Sequence, residues 1–227
     1  MPAGRGEPSA VAMSRRAQIV AATIDTVADL GYRRTTFARI AERGGLSSTR
    51  LISYHFAGKN ELVKEVVAHI FGSIDRFMVG WADVEPASRP INQPSGTPRL
   101  PSGGPASAEL RAYITGTAAF IDRHRTQMRA LQSIFAALHD DTGNEARYAP
   151  ETYRAVLGHI QGILRRGQAD GEFRDFDTLI MAATIQRSLD GLFFLLQAEP
   201  GLDLAKSAEE MVTLFNLATL KDPDEPE

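Results

Sequence analysis

From Thr35 to Leu62 the chain reads TTFARIAERGGLSSTRLISYHFAGKNEL, and the pair Gly44-Gly45 divides it into two short stretches of helical periodicity. Adjacent glycines each disfavour a helix by about 1 kcal/mol and open positive φ, so a tight turn is expected there. Thr35 or Thr36 can cap a short helix through Arg43, and Ser47 or Ser48 can cap another through about His55. Phe37, Ile40, Ala41, Leu46, Leu51 and Ile52 supply an apolar backing, whereas Ser48, Thr49, Arg50, Ser53, Tyr54 and His55 are polar or basic. That is the layout of a helix-turn-helix, whose second helix lies in a DNA major groove.

The rest of the chain is helical by pattern. Ile19, Ala22, Thr23, Thr26, Val27 and Leu30 repeat at helical spacing before Gly31. A fourth helix is expected from about Asn60 to Trp81. Further helices carry Leu110 to Ile121, then Met128 to Leu138, and then run from Pro150 to about Asp170 before Gly171. Asp177 opens one to about Ala198, and Asp203 the last, to about Leu220. The expectation is an all-α chain of nine helices. Between Asp83 and Ala108 stand six of the twelve prolines, with Gly and Ser, so residues 83–108 are expected to form a long mobile loop. The expected organisation is a disordered lead-in at 1–13, a helix-turn-helix domain at 14–59, a regulatory and dimerisation domain at 60–221, and an acidic tail at 222–227.

The net charge of −3 argues against nucleic acid until its distribution is considered. Residues 1–60 hold nine Lys or Arg against four acids, so this end is cationic and the remainder strongly anionic. The chain has no cysteine, which fits a reducing, cytoplasmic setting. No uninterrupted apolar run reaches the roughly 18 residues that span a bilayer, so no membrane partner is expected. Catalysis is not expected either. His55, His69, His124, His139 and His159 include no i, i+3 or i, i+4 pair, and neither a phosphate loop nor a Gly-x-Ser-x-Gly elbow is complete. No metal or cofactor is implied.

Ile40-Ala41-Glu42, Gly45-Leu46-Ser47, Tyr54-His55-Phe56 and Lys59-Asn60-Glu61-Leu62 together resemble the DNA-binding domain of the tetracycline-repressor-like (TetR) family. The resemblance covers roughly residues 15–62. The stretch from Gly45 to Phe56 is one residue longer than the usual spacing, which leaves open which of Ser48, Thr49 and Arg50 faces the bases. The expected DNA-contacting set is Arg34, Thr36, Ser47, Ser48, Thr49, Arg50, Ser53, Tyr54, His55 and Lys59. Within it, Arg50 and Tyr54 are expected to discriminate sequence, and Lys59, Thr36 and Arg34 to hold phosphates. The resemblance implies a homodimer, a double-stranded DNA operator, and a helical domain that binds a small effector.

Two stripes run along the eighth helix, Leu179, Ala182, Gln186, Leu189 and Phe193 beside Ile180, Ala183, Arg187, Gly191 and Phe194. So wide an apolar arc is central to a core or shared with a partner. The family resemblance implies pairing of the last two helices with their symmetry mates. The expected dimer residues are Leu179, Ala182, Ala183, Arg187 and Phe194, with Leu204, Ala208, Met211 and Phe215 on the last helix. An apolar effector cavity is expected among Phe77, Trp81, Tyr113, Phe120, Met128 and Leu131, with Phe135, Tyr153, Leu157 and Phe193. His124, Gln186 and Asp190 add polar groups to it. The preferred function is a ligand-responsive, dimeric, sequence-specific repressor. The alternatives are an activator of the same type, or a helical ligand-sequestering or protein-interaction module with no specific DNA binding.

Overall fold

A computed structural model describes residues 10–84, 104–140 and 148–221, with side chains described for 14–81, 104–138 and 154–221. Most of the expected 83–108 loop, the 222–227 tail and the Tyr153 side chain lie outside these bounds. The described residues form nine helices: α1 (Ala10–Leu30), α2 (Phe37–Arg43), α3 (Arg50–His55), α4 (Lys59–Val84), α5 (Ala106–Arg123), α6 (Arg125–Asp140), α7 (Tyr148–Ala169), α8 (Thr178–Ala198) and α9 (Leu204–Thr219). The fold is all-α. Its one β feature among the described residues is an isolated bridge between Phe173 and Leu220. The helix α1 starts at Ala10, so residues 10–13 of the expected lead-in are helical.

The chain divides into two compact units, residues 1–72 with 125–145 and residues 73–124 with 146–227. The first is larger than the expected 14–59 domain, because α6 packs on α1. Ala130, Leu131, Ile134 and Ala137 are buried on α6, and Ile19, Val20, Ile24 and Val27 on α1. The Tyr32 amide donates to Ser133 Oγ at 2.9 Å, fastening α6 to the turn after α1. Sequence order hides this contact, since about a hundred residues separate its partners.

In the second unit α5 packs on α7, α8 and α9, and α7 on α8. Asp177 and Asp203 cap α8 and α9, as their sequence positions predicted. The helix α7 ends in a Schellman turn: Glu172 N–H donates to the Gly167 carbonyl and Gly171 N–H to that of Gln168, with Gly171 at φ 72°. Glu172 then accepts from Ala106 N at 2.5 Å and Ser107 N at 3.1 Å, capping α5 from a distant loop.

Four of the residues expected on the dimer face of α9, Leu204, Ala208, Met211 and Phe215, are buried inside the subunit, as is Ala182 of α8. They are core residues, because this stripe of α9 is the one applied to α5. The exposed apolar stripe is the adjacent one, Ile180 (64%), Phe194 (64%), Leu195 (54%), Leu214 (64%) and Leu217 (79%), with Leu179 half exposed. By length and composition α8 could cross a bilayer, yet Ala182, Ile185, Leu189, Leu192, Phe193 and Leu196 are buried in the unit and Arg187 and Asp190 interrupt it.

Gly167 tests the packing of this unit. The Phe173 ring lies so close that a Cβ there would stand 2.8 Å from Cγ and nearer still to Cδ2. Alanine gains about 1 kcal/mol of helix propensity. Displacing a buried phenylalanine loses about 1.5–3 kcal/mol, so the clash wins. Gly167→Ala is expected to lower stability by about 1–2 kcal/mol, read as an earlier urea midpoint with an unchanged slope.

Candidate nucleic-acid interface

The turn between α2 and α3 needs both of its glycines, for different reasons. Gly45 sits at φ 60°, and Leu46 N–H donates to the Ala41 carbonyl at 2.8 Å in a second Schellman turn. Gly44 has negative φ, but a Cβ on it would meet Ala22 Cβ at 3.0 Å, so it lets α1 and the turn approach closely. Thr36 caps α2. The helix α3 starts later than expected: Thr49 is its N-cap without a side-chain bond, and Ser48 Oγ instead accepts from Arg50 N at 3.0 Å.

Ile52 and Phe56 are buried beneath α3. Above them Ser47, Ser48, Thr49, Arg50, Ser53 and Tyr54 are all exposed, Tyr54 by 82%. Arg34 and Thr36 are exposed beside the start of α2. The structure therefore brings eight of the ten expected DNA-contacting residues to the surface, with Ser48 and Thr49 just before the first turn of α3. His55 is half buried and meets Tyr54 edge to face. Lys59 is half buried too. Its Nζ donates to the Tyr32 carbonyl at 2.8 Å and lies 4.0 Å above the Tyr32 ring, where burial holds its pKa below the ordinary lysine value. Lys59 therefore tethers the start of α4 to the α1–α2 turn, with hydrogens to spare for a phosphate.

One residue that sequence reasoning missed holds α3 in place. The Arg16 guanidinium donates to the His55 carbonyl at 2.8 Å and to Glu65 at 2.8 Å, and sits 4.3 Å over the Phe56 ring. Two positions on, Gln18 Nε2 donates to the Gly44 carbonyl at 2.7 Å. Both helix ends of the motif are thus satisfied from α1, and the positive guanidinium suits the negative end of α3. In sequence Arg16 counted only as one cation among nine. Arg16→Ala is expected to weaken operator binding roughly tenfold, the scale of a charge-assisted hydrogen bond. The slope of affinity against salt should stay unchanged, because Arg16 is engaged by protein rather than phosphate; a flattened slope in anisotropy titrations would contradict this placement.

The expected effector residues separate. Met128, Leu131 and Phe135 lie on α6 in the first unit, the others in the second. There, Phe77, Trp81, Phe120 and His124 form an aromatic cluster, with Phe77 on Trp81 at 5.7 Å, Phe120 on His124 at 4.2 Å, and Arg123 over Phe77. Tyr113, Gln186 and Asp190 form a polar chain: Tyr113 Oη donates to Gln186 Oε1 at 2.8 Å, and Gln186 Nε2 to Asp190 Oδ1 at 2.8 Å. Burial raises the pKa of Tyr113, with Asp190 adding to the effect. Burial likewise raises that of Asp190, against the Gln186 hydrogen bond and Arg187. His159, absent from the expected set, stacks obliquely on Tyr113 at 5.6 Å, and its buried Nε2 has no hydrogen-bond partner among the described residues. Burial and then Arg166 pull its pKa down to about 4, so the ring is neutral. Leu157 and Phe193 are buried core. No group of three or more metal-ligating side chains occurs among the described residues.

Residues 19–66 match the family of bacterial regulatory proteins described as the tetR family, across α2, α3 and the adjoining parts of α1 and α4. Residues 19–66 thus carry a tetR-type regulatory domain. Over 56 residues the chain is 41% identical to the HTH-type transcriptional regulator BetI 1 of Chromohalobacter salexigens, covering 25% of this chain and 27% of that protein. Against a BetI of Paraburkholderia xenovorans it is 26% identical over 210 residues, covering 92% and 90%. The chain spans 27% and 52% of the lengths of the first two such relatives. In fold it is similar to SmeT, the repressor of the Stenotrophomonas maltophilia multidrug efflux pump SmeDEF, at TM-score 0.65, 20% identity and coverage of 93% and 96%. The complex of SmeT with triclosan is similar at TM-score 0.69 and 18% identity, covering 94% of this chain and 99% of that one.

Proposed function

We propose that this chain is a TetR-family homodimeric repressor that leaves its operator when a small, mostly apolar molecule binds the second unit. The observation that carries the proposal is the exposed polar face of α3, with the helix-turn-helix ends held by Arg16 and Gln18. Each subunit would place α3 in one major groove, with half-sites one helical turn apart, ~34–36 Å. Arg50 and Tyr54 are assigned to base edges, and Arg34, Thr36 and Lys59 to phosphates. Pairing is assigned to the exposed apolar stripe of α8 and α9, a surface of the kind that marks an interface. SmeT, alike in fold, is a repressor and forms a complex with triclosan, which supports an effector of apolar character here. Residues 14–59 are proposed as the DNA-reading domain and 60–221 as the regulatory one, acting in the cytoplasm where the operator is. The effector releases DNA only by binding the DNA-incompetent arrangement more tightly.

A genomic pull-down with the purified chain, followed by footprinting of the recovered fragments, tests this. Protection of a two-fold site spanning two adjacent major grooves is expected. Failure to protect any fragment at low salt without ligand would favour a sequestering module instead.

A further inference from the structure

We propose that Tyr113, His159, Gln186 and Asp190 form the hydrogen-bonding end of a small-molecule site for an uncharged, largely apolar ligand bearing a hydroxyl or similar group that both donates and accepts. The inference rests on the effector-release reading and gives its ligand a chemistry.

The cluster is not explained by folding. Its neighbours on the same helices, Leu157, Ile160, Ile163, Ile185, Leu189 and Phe193, are buried and apolar. Tyr113 and the Nε2 of His159 lie buried among them and carry a desolvation penalty that leucine would avoid, whereas Asp190 stays partly exposed at the edge. Tyr113, Gln186 and Asp190 offset much of that penalty by bonding in sequence. His159 Nε2 does not, and an unpaired buried nitrogen is destabilising. A ligand hydroxyl placed against it would satisfy that nitrogen, beside a Tyr113 oxygen that already bonds Gln186.

Charge sets the second requirement. Arg166, the cation nearest His159 in effect, is paired with the buried Glu109, and Asp190 faces Arg187 at 3.4 Å. The charges around the cluster are matched within the protein, and the neutral imidazole adds none. A charged ligand would be desolvated here without an opposite charge to meet it. The third requirement is shape. Tyr113, Gly116 or Thr117, and Phe120 share one face of α5, about 10 Å end to end. At Gly116 the absent Cβ admits Trp81 Cδ1 and Met78, 2.9 and 3.0 Å from where that atom would stand. An apolar body running from Tyr113 along this face meets Trp81, Phe77 and Phe120.

Trp81 is the chain's single tryptophan and reports directly on that face. Titrating the full chain with 4-hexylphenol should give a saturable change in Trp81 fluorescence at least about tenfold tighter than hexylbenzene, and tighter than 4-hexylbenzoate. His159→Phe and Gln186→Leu should each abolish the phenol's advantage over hexylbenzene, with circular dichroism confirming the fold of each. Equal affinity for phenol and hydrocarbon, preference for the carboxylate, no saturable response, or an advantage kept in both folded variants would overturn the proposal. Adding a footprinted DNA fragment separates the two ideas. Phenol-selective binding that leaves DNA bound supports the site and removes the release reading, whereas DNA release without phenol selectivity does the reverse.

Discussion

Arg50→Ala is expected to lower affinity for the operator by about 10- to 150-fold, while affinity for random DNA of equal length falls far less. A bidentate arginine–base contact is worth about 1–3 kcal/mol of discrimination, and nonspecific binding draws on phosphates. Arg50 is exposed at the first position of α3 and Tyr54 is 82% exposed one turn later, so both can be truncated without opening the core. Tyr54→Ala should act in the same direction. The thermal midpoints of both variants should match the parent. Ile52→Ala makes the contrast, since Ile52 is fully buried on the inner side of α3 and its truncation removes about 2–5 kcal/mol of stability. Competition titrations with operator and random duplexes at two salt concentrations decide the matter. Equal losses on both duplexes for Arg50→Ala would reassign it to the backbone.

The second large effect concerns the outer face of α8 and α9. Phe194→Glu combined with Leu217→Glu is expected to convert the proposed dimer to monomers, read by sedimentation velocity, and to weaken operator binding by about 10²–10⁴-fold. Both side chains are exposed in the subunit, so each subunit should still fold. Losing the partner turns the second half-site from an intramolecular event into an independent one, which is where that factor arises. Phe215→Glu would act differently: Phe215 is 8% exposed, and an unpaired carboxylate there breaks the subunit itself. A Phe194/Leu217 double variant that remains dimeric would move the interface off this stripe.

The expectation for α9 failed in an instructive way. Leu204, Ala208, Met211 and Phe215 repeat at helical spacing and read as an interface, but they face α5, and the interface candidates are Leu214 and Leu217 on the other side. A helix apolar on several sides has no periodicity that tells inside from outside. Helix α6 shows a different limit: its single apolar stripe marks Leu131 as buried, but periodicity does not name the neighbour, which is α1.

What the chain itself determined is local. Glycine, proline, aspartate and threonine act on the backbone within a few residues, so Gly45, Gly171, Thr36, Asp177 and Asp203 marked helix ends where the helices do end. The polar outer row of α3 was equally legible, because a six-residue helix with Ile52 beneath it can present only one face. Tertiary structure alone decided what depends on distant partners. It brought Arg16 to the end of α3, Ser133 to Tyr32, and His159 beside Tyr113 with an unpaired nitrogen. Each of these contacts joins residues tens of positions apart, and their energy resides in the burial and hydrogen bonds that form only when the helices meet.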